Sequence, residues 1–99
     1  MAEHYASGVW QVKEGKDEEF VKRWTEFLQW SRENFPAMVE ANLLRDRNTT
    51  GHYVSFSQWT DAASRDAWKQ APDFRARIGA CVELCDNMQG ADYDLAVTV

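Results

Sequence analysis

Hydrophobic and polar positions change their period several times along this chain, and those changes mark its elements. From Tyr5 to Lys13 the pattern alternates, with Ala6, Gly8, Trp10 and Val12 on one face and Val9 and Gln11 on the other, which predicts a strand. Glu14, Gly15 and Lys16 break it, and Asp17 is a candidate N-cap. Phe20, Trp24, Phe27, Leu28 and Ser31 then recur at helical spacing as far as Asn34, where Pro36 forbids continuation. A second strand is predicted over Met38 to Arg47 and a third over His52 to Trp59, joined by the turn residues Asn48, Thr49, Thr50 and Gly51 into an antiparallel hairpin.

Thr60 and Asp61 start a short helix over Ala62 to Gln70, and Pro72 restarts it. Phe74, Ile78, Cys81, Val82, Cys85 and Met88 extend an apolar stripe at helical spacing, which Gly90 would end. Alternation of Tyr93, Leu95, Val97 and Val99 with Asp94, Ala96 and Thr98 predicts a fourth strand over Asp92 to Val99. The order β-α-β-β-α-β is the ferredoxin-like arrangement of an α+β protein, one domain over residues 1–99 with its helices on one face of the sheet. Both faces of the third strand carry large apolar groups, Val54 and Phe56 against Tyr53 and Trp59. A second copy packed on the uncovered face is the simplest cover, so a homodimer is expected.

Composition sharpens this outline. Five tryptophans and five phenylalanines in 99 residues are more than a small core needs, so some of the rings should line a pocket or a partner surface. A net charge of -5 with scattered cations argues against a nucleic-acid partner. No apolar run reaches the ~20 residues of a spanning helix and the N-terminal residues do not read as a signal peptide, so no membrane partner and a cytoplasmic location are expected. Cys81 and Cys85, placed on one helix face, read as buried small residues rather than a disulfide or half of a metal site.

Candidate chemistry gathers on the third strand. Tyr53, Ser55, Ser57 and Trp59 share one face, and Gly8 and Ala6 are small on the matching face of the first strand. Small residues on two strands beneath the aromatic helix residues Trp24 and Phe27 leave room for a pocket, although the same rings could fill that space as core. Asn42, beside Glu40 on the second strand, either lines the pocket mouth or faces solvent. No nucleophile with its base, phosphate-binding glycine loop or metal cluster is evident, and His4 and His52 read as surface residues.

Three stretches resemble the antibiotic biosynthesis monooxygenase family: Val12 through Phe20, Leu43 to Asp46, and above all Ser57 to Asp61 running on through Ala67 and Trp68 to Phe74. The resemblance spans nearly the whole chain. It implies a dimeric α+β barrel with a substrate pocket between sheet and helices in each subunit. In haem-degrading members an asparagine, a tryptophan and an iron-binding histidine cooperate. Here Trp59 matches the tryptophan, Gly8 stands where the asparagine would be, and Ile78 where the histidine would be. Without that axial ligand, haem degradation becomes the minor reading. In polyketide-oxidising members an asparagine lies four residues before the tryptophan; Ser55 has that offset here, with Tyr53 and Tyr93 nearby.

The resemblance therefore implies a monooxygenase that uses no cofactor and acts on a small aromatic phenol, hydroquinone or polyketide-like molecule. Trp59 and Ser55 would donate hydrogen bonds, and Gly8, Trp24, Phe27, Asn42, Tyr53, Ser57 and Ile78 would surround the ring. The alternative is a non-catalytic module that binds a small ligand or only supports a dimer.

Overall fold

The computed structural model describes residues 3–99. Its elements are β1 (His4–Val12), α1 (Asp17–Asn34), β2 (Met38–Arg45), β3 (His52–Trp59), α2 (Ala62–Gln70), α3 (Pro72–Val82) and β4 (Cys85–Asp94). The strands form one antiparallel sheet in the order β2-β3-β1-β4, the α+β arrangement expected from the sequence. All three helices lie on one face of it, and none of the described residues forms a helix long and apolar enough to cross a membrane.

Local chemistry explains most boundaries. α1 starts one residue earlier than a cap at Asp17 would give, because Lys16 is the N-cap and Asp17 is the first helical residue. The acids Asp17, Glu18 and Glu19 in its first turn suit the positive end of the helix dipole. Phe20, Trp24, Phe27 and Ser31 are its buried stripe. At α2, the Asp61 carboxylate caps the helix by accepting from the Ser64 backbone N–H at 2.7 Å. That bond holds the Asp61 carboxyl below the usual carboxylate range. Gly51 closes the β2–β3 hairpin with φ of 80°, a conformation costly for other residues, and a Cβ there would stand 2.9 Å from the Val12 carbonyl oxygen.

The C-terminal third departs from expectation. α3 stops at Val82, and Cys85, Met88 and Gly90 belong to β4 rather than to a helix. Apolar spacing in Cys81, Val82, Cys85 and Met88 satisfies a helix on paper, but β1 would then expose an unpaired edge along its whole length. Pairing with Cys85–Asp94 satisfies that edge from His4 to Val12, and this tertiary demand overrides the local period. Leu95 to Val99 lie beyond the sheet, tied to it by the Leu95 N–H donating to the Glu3 carbonyl at 2.7 Å. Cys81 and Cys85 consequently do not share a helix face. Both are free thiols, and burial raises them to about 12 and about 11.

Antiparallel partners share a sheet face, so the pairing defines the surface under the helices row by row. One row is Met88–Trp10–Tyr53, the next Gly90–Gly8–Ser55–Leu43, and the next Asp92–Ala6–Ser57–Ala41. The opposite face carries Val9, Val54 and Leu44 in one row, and Ser7, Phe56 and Asn42 in the adjacent one. Val9 and Leu44 are 43% and 51% exposed there.

Candidate active site

Where the small rows meet the helices, the interior is hollow. Gly8, Ala6, Ser55 and Ser57 floor a cavity of about 300 Å³, whose walls are Trp10, Trp24 and Leu28 on one side and Trp68, Phe74 and Ile78 on the other. Met88 and Gly90 of β4 bound it, with Gly90 exposed at the sheet edge. The volume lies at the lower end of the ~300–1,000 Å³ of ligand sites, so an occupant would be small. The walls suit a flat aromatic molecule: Trp10 and Trp24 meet edge to face at 5.2 Å between centroids, and Trp68 and Phe74 at 4.7 Å.

Hydrogen bonding organises the floor. The Trp10 Nε1–H donates to Ser55 Oγ at 3.0 Å, and the Trp59 Nε1–H donates to Ser57 Oγ at 2.8 Å. Each serine oxygen is therefore occupied as an acceptor while its own O–H proton has no acceptor among the described residues. An indole donating into a hydroxyl polarises it and makes it a stronger donor in turn. Gly8 makes this arrangement possible, since a Cβ there would stand 2.7 Å from Trp10 Nε1 and 3.1 Å from Ser55 Oγ. On the helix side, the Trp68 Nε1–H donates to Ser31 Oγ at 2.9 Å. Trp24 differs, because its buried Nε1–H has no partner among the described residues. Such an orphan donor costs about 1–3 kcal/mol, which an occupant carrying an acceptor would recover.

Of the residues singled out from sequence, Gly8, Trp24, Ser55, Ser57 and Ile78 come together around the cavity. Trp59 does not line it; it is fully buried behind Ser57 and acts on the cavity through that serine and through Trp68, on which it packs at 4.9 Å. Phe27 is likewise fully buried, packed behind Trp24 at 5.0 Å and against Phe74 at 5.5 Å. Tyr53 shares the inner face but turns away. Its hydroxyl donates to Asp17 Oδ2 at 2.7 Å and accepts from Arg45 Nε at 3.1 Å, under the start of α1. Burial raises its phenol above the usual tyrosine range; the Arg45 hydrogen bond opposes that shift and the Asp17 contact adds to it. Asn42 is on the opposite face of the sheet, paired with Phe56, so it lines neither the cavity nor its mouth. The bulge between Met38 and Glu40 puts Ala41 and Leu43 on the inner face instead.

Sequence reasoning missed Trp10 and Trp68 as cavity walls, and Met88, Gly90 and Lys69 at its edge. Trp10 had a readable signal in its place two residues after Gly8 on the small-residue face. The β4 residues had none once their stretch was read as helix. His52 pairs with Asp46 at 3.1 Å and His4 with Asp94 at 3.1 Å, neither of them in the cavity wall. Among the described residues no three His, Cys, Asp or Glu side chains are grouped to hold a metal ion.

The sequence profile of the antibiotic biosynthesis monooxygenase family matches residues 4–79. The chain belongs to that family. The matched span runs from β1 into α3 and includes most of the cavity wall. The fold is similar to that of SnoaB, a cofactor-independent oxygenase from Streptomyces nogalater, in its N63A mutant, with a TM-score of 0.89, 21% identity, and coverage of 100% of this chain and 98% of that one. It is also similar to a candidate antibiotic biosynthesis monooxygenase from Caulobacter crescentus (TM-score 0.86, 15% identity, 97% and 92% covered). A conserved protein from Methanosarcina mazei is comparable (TM-score 0.85, 15% identity, 97% and 95% covered). At these identities the likeness speaks for the fold. No match was found among curated proteins.

Proposed function

We infer that this protein is a cofactor-independent monooxygenase that oxidises a small aromatic phenol in the cavity between its sheet and helices. Family membership supports the reaction class. The observation that carries the reading is the pair of serines on the cavity floor, Ser55 and Ser57, each accepting from an indole and left with a free, polarised O–H.

The chemistry that such a site performs is the stabilisation of a phenolate. A phenol lying between the aromatic walls would place its oxygen over Ser55 and Ser57, whose hydroxyls favour the anion and lower the phenol's pKa. Among the described residues Lys69 is the only titratable side chain in the wall, so the proton leaves to water. The anion passes one electron to dioxygen, and the resulting radical and superoxide combine to form a C–O bond. For a ring methylene, such as the one an anthrone-type substrate carries, loss of water from that peroxide leaves a ketone. One oxygen atom enters the product and the other becomes water. The four electrons that reduce dioxygen all come from the substrate, which is why no cofactor is required. The walls contribute orientation and exclusion of bulk water.

An oxygen electrode with a panel of hydroquinones and anthrone-like phenols tests this. For the anthrone-like phenols, one dioxygen consumed per quinone formed, with no hydrogen peroxide released and no sensitivity to chelators, is the expected result. Binding without oxygen uptake would overturn it in favour of the non-catalytic module, a reading favoured by a wall whose described residues include no carboxylate or imidazole.

The same reading includes a homodimer joined through the outer sheet face, where Val9, Val54, Leu44 and Phe56 form an apolar patch. Phe56→Asp should then give monomer or unfolded protein by light scattering. A folded dimer would refute that assignment of the faces.

A further inference from the structure

Among the described residues the cavity wall contains one charged side chain, Lys69, and its surroundings leave that charge available. Lys69 follows Trp68 on α2 and stands over the edge of the sheet, where its Nζ pairs with Asp92 Oδ1 of β4. Asp92 belongs to the inner face, one position beyond Gly90 and directly beside Ala6 of the cavity floor. The Lys69–Asp92 pair thus spans the cavity rim from helix to strand.

Asp92 has a second cation. Arg65, one turn earlier on α2 and 9% exposed, places Nε 3.9 Å from the same Asp92 oxygen, and its Nη1 donates to the Tyr5 carbonyl at 3.3 Å. If Lys69 swings to another anion, Asp92 keeps Arg65 as its counter-ion. Arg65 is itself nearly buried and is shared with Asp66 at 3.4 Å and Asp94 at 3.9 Å, whereas Lys69 is a third exposed on a flexible stem. Exposed ion pairs of the Lys69–Asp92 kind contribute only about 0–1 kcal/mol, so exchanging one carboxylate for another costs little.

We propose that Lys69 is a specificity residue that exchanges Asp92 for a carboxylate on the substrate, so that the protein selects aromatic hydroxy acids over neutral phenols. This rests on the reading that the cavity holds an aromatic substrate. The ring and its phenolic oxygen go inward to Ser55 and Ser57, while the carboxylate stays at the wet rim beside Lys69. A carboxylate deeper in the cavity would meet only apolar walls and lose its hydration without compensation.

The test uses matched ligands, a naphthol and the same naphthol bearing a carboxylate on its far ring, with binding followed by quenching of the cavity tryptophans. Wild-type protein should bind the acid about fivefold to tenfold more tightly than the neutral compound. Lys69→Met should abolish that gap by weakening the acid far more than the neutral ligand, Lys69→Arg should keep it, and Asp92→Asn should widen it by removing the competing carboxylate. An unchanged gap in Lys69→Met, equal losses for both ligands, or no binding of either overturns the proposal. Oxygen uptake is measured separately on the same pair. A Lys69-dependent gap without uptake removes the oxygenase reading and keeps this one, while uptake without the gap does the reverse.

Discussion

Two stretches of the same sheet face meet the same layer of helices and end differently. Toward Trp59 and Met38 the interface is solid: Trp59 packs on Trp68 at 4.9 Å and on Phe35 at 6.4 Å, and both Trp59 and Met38 are sealed from solvent. Two and four residues back along β3, over Ser57 and Ser55, the same helices stand off and leave about 300 Å³. Side-chain size makes the difference. Large residues at Trp59 and Met38 reach the helices, whereas Gly8, Gly90, Ala6 and the two serines cannot. The lesson concerns the tryptophans. At the solid end a tryptophan is filler whose N–H is tied to a serine; at the hollow end Trp24 is a wall with its N–H unused.

Substitutions should separate the two stretches cleanly. Trp59→Ala opens the solid end and leaves Ser57 without its donor, so chemical denaturation should show a loss of about 3–5 kcal/mol, or no folded protein. Loss below about 1 kcal/mol would mean that the two ends are packed alike. Gly8→Ala should cost about 1–2 kcal/mol by driving Trp10 off Ser55, with weaker ligand binding as the companion effect. Gly90→Ala is expected to act in the opposite sense. A Cβ there finds only the Met88 side chain and the Ser7 carbonyl oxygen, each at 3.7 Å, so stability should rise by roughly 0.5–1 kcal/mol while ligand affinity falls as the cavity shrinks. Trp24→Phe removes a donor that has no protein partner. Its effect on stability should stay under about 1 kcal/mol, yet phenol binding should weaken severalfold in a fluorescence or calorimetric titration.

Much of this was legible in the chain because period-2 alternation on β1 and β3 is a direct record of which side chains share a face. Gly8 and Ser55, neighbours across β1 and β3 in the structure, could be placed on one small-residue surface from sequence. Trp59 was legible as important but not as hidden, since no sequence pattern reveals that its indole is spent on Ser57 two residues away. Asn42 went to the wrong face because the bulge at Val39 resets the alternation of β2, and bulges leave no simple signature. β4 was the largest loss. Cys85 and Met88 continue a helical stripe, and only the need to pair β1 reveals them as strand. With β4 misplaced, Asp92 could not be set opposite Lys69, and the charged rim of the cavity stayed invisible.

The central claim is that the hollow stretch is a substrate site and the solid stretch is not. A crystal structure with an anthrone-type phenol bound tests it most directly. The account predicts the ring between Trp24 and the Gly8–Gly90 floor, with its oxygen within about 3 Å of Ser55 or Ser57 Oγ. A ligand seated on the outer sheet face, or one in the cavity with its oxygen turned away from both serines, would contradict it.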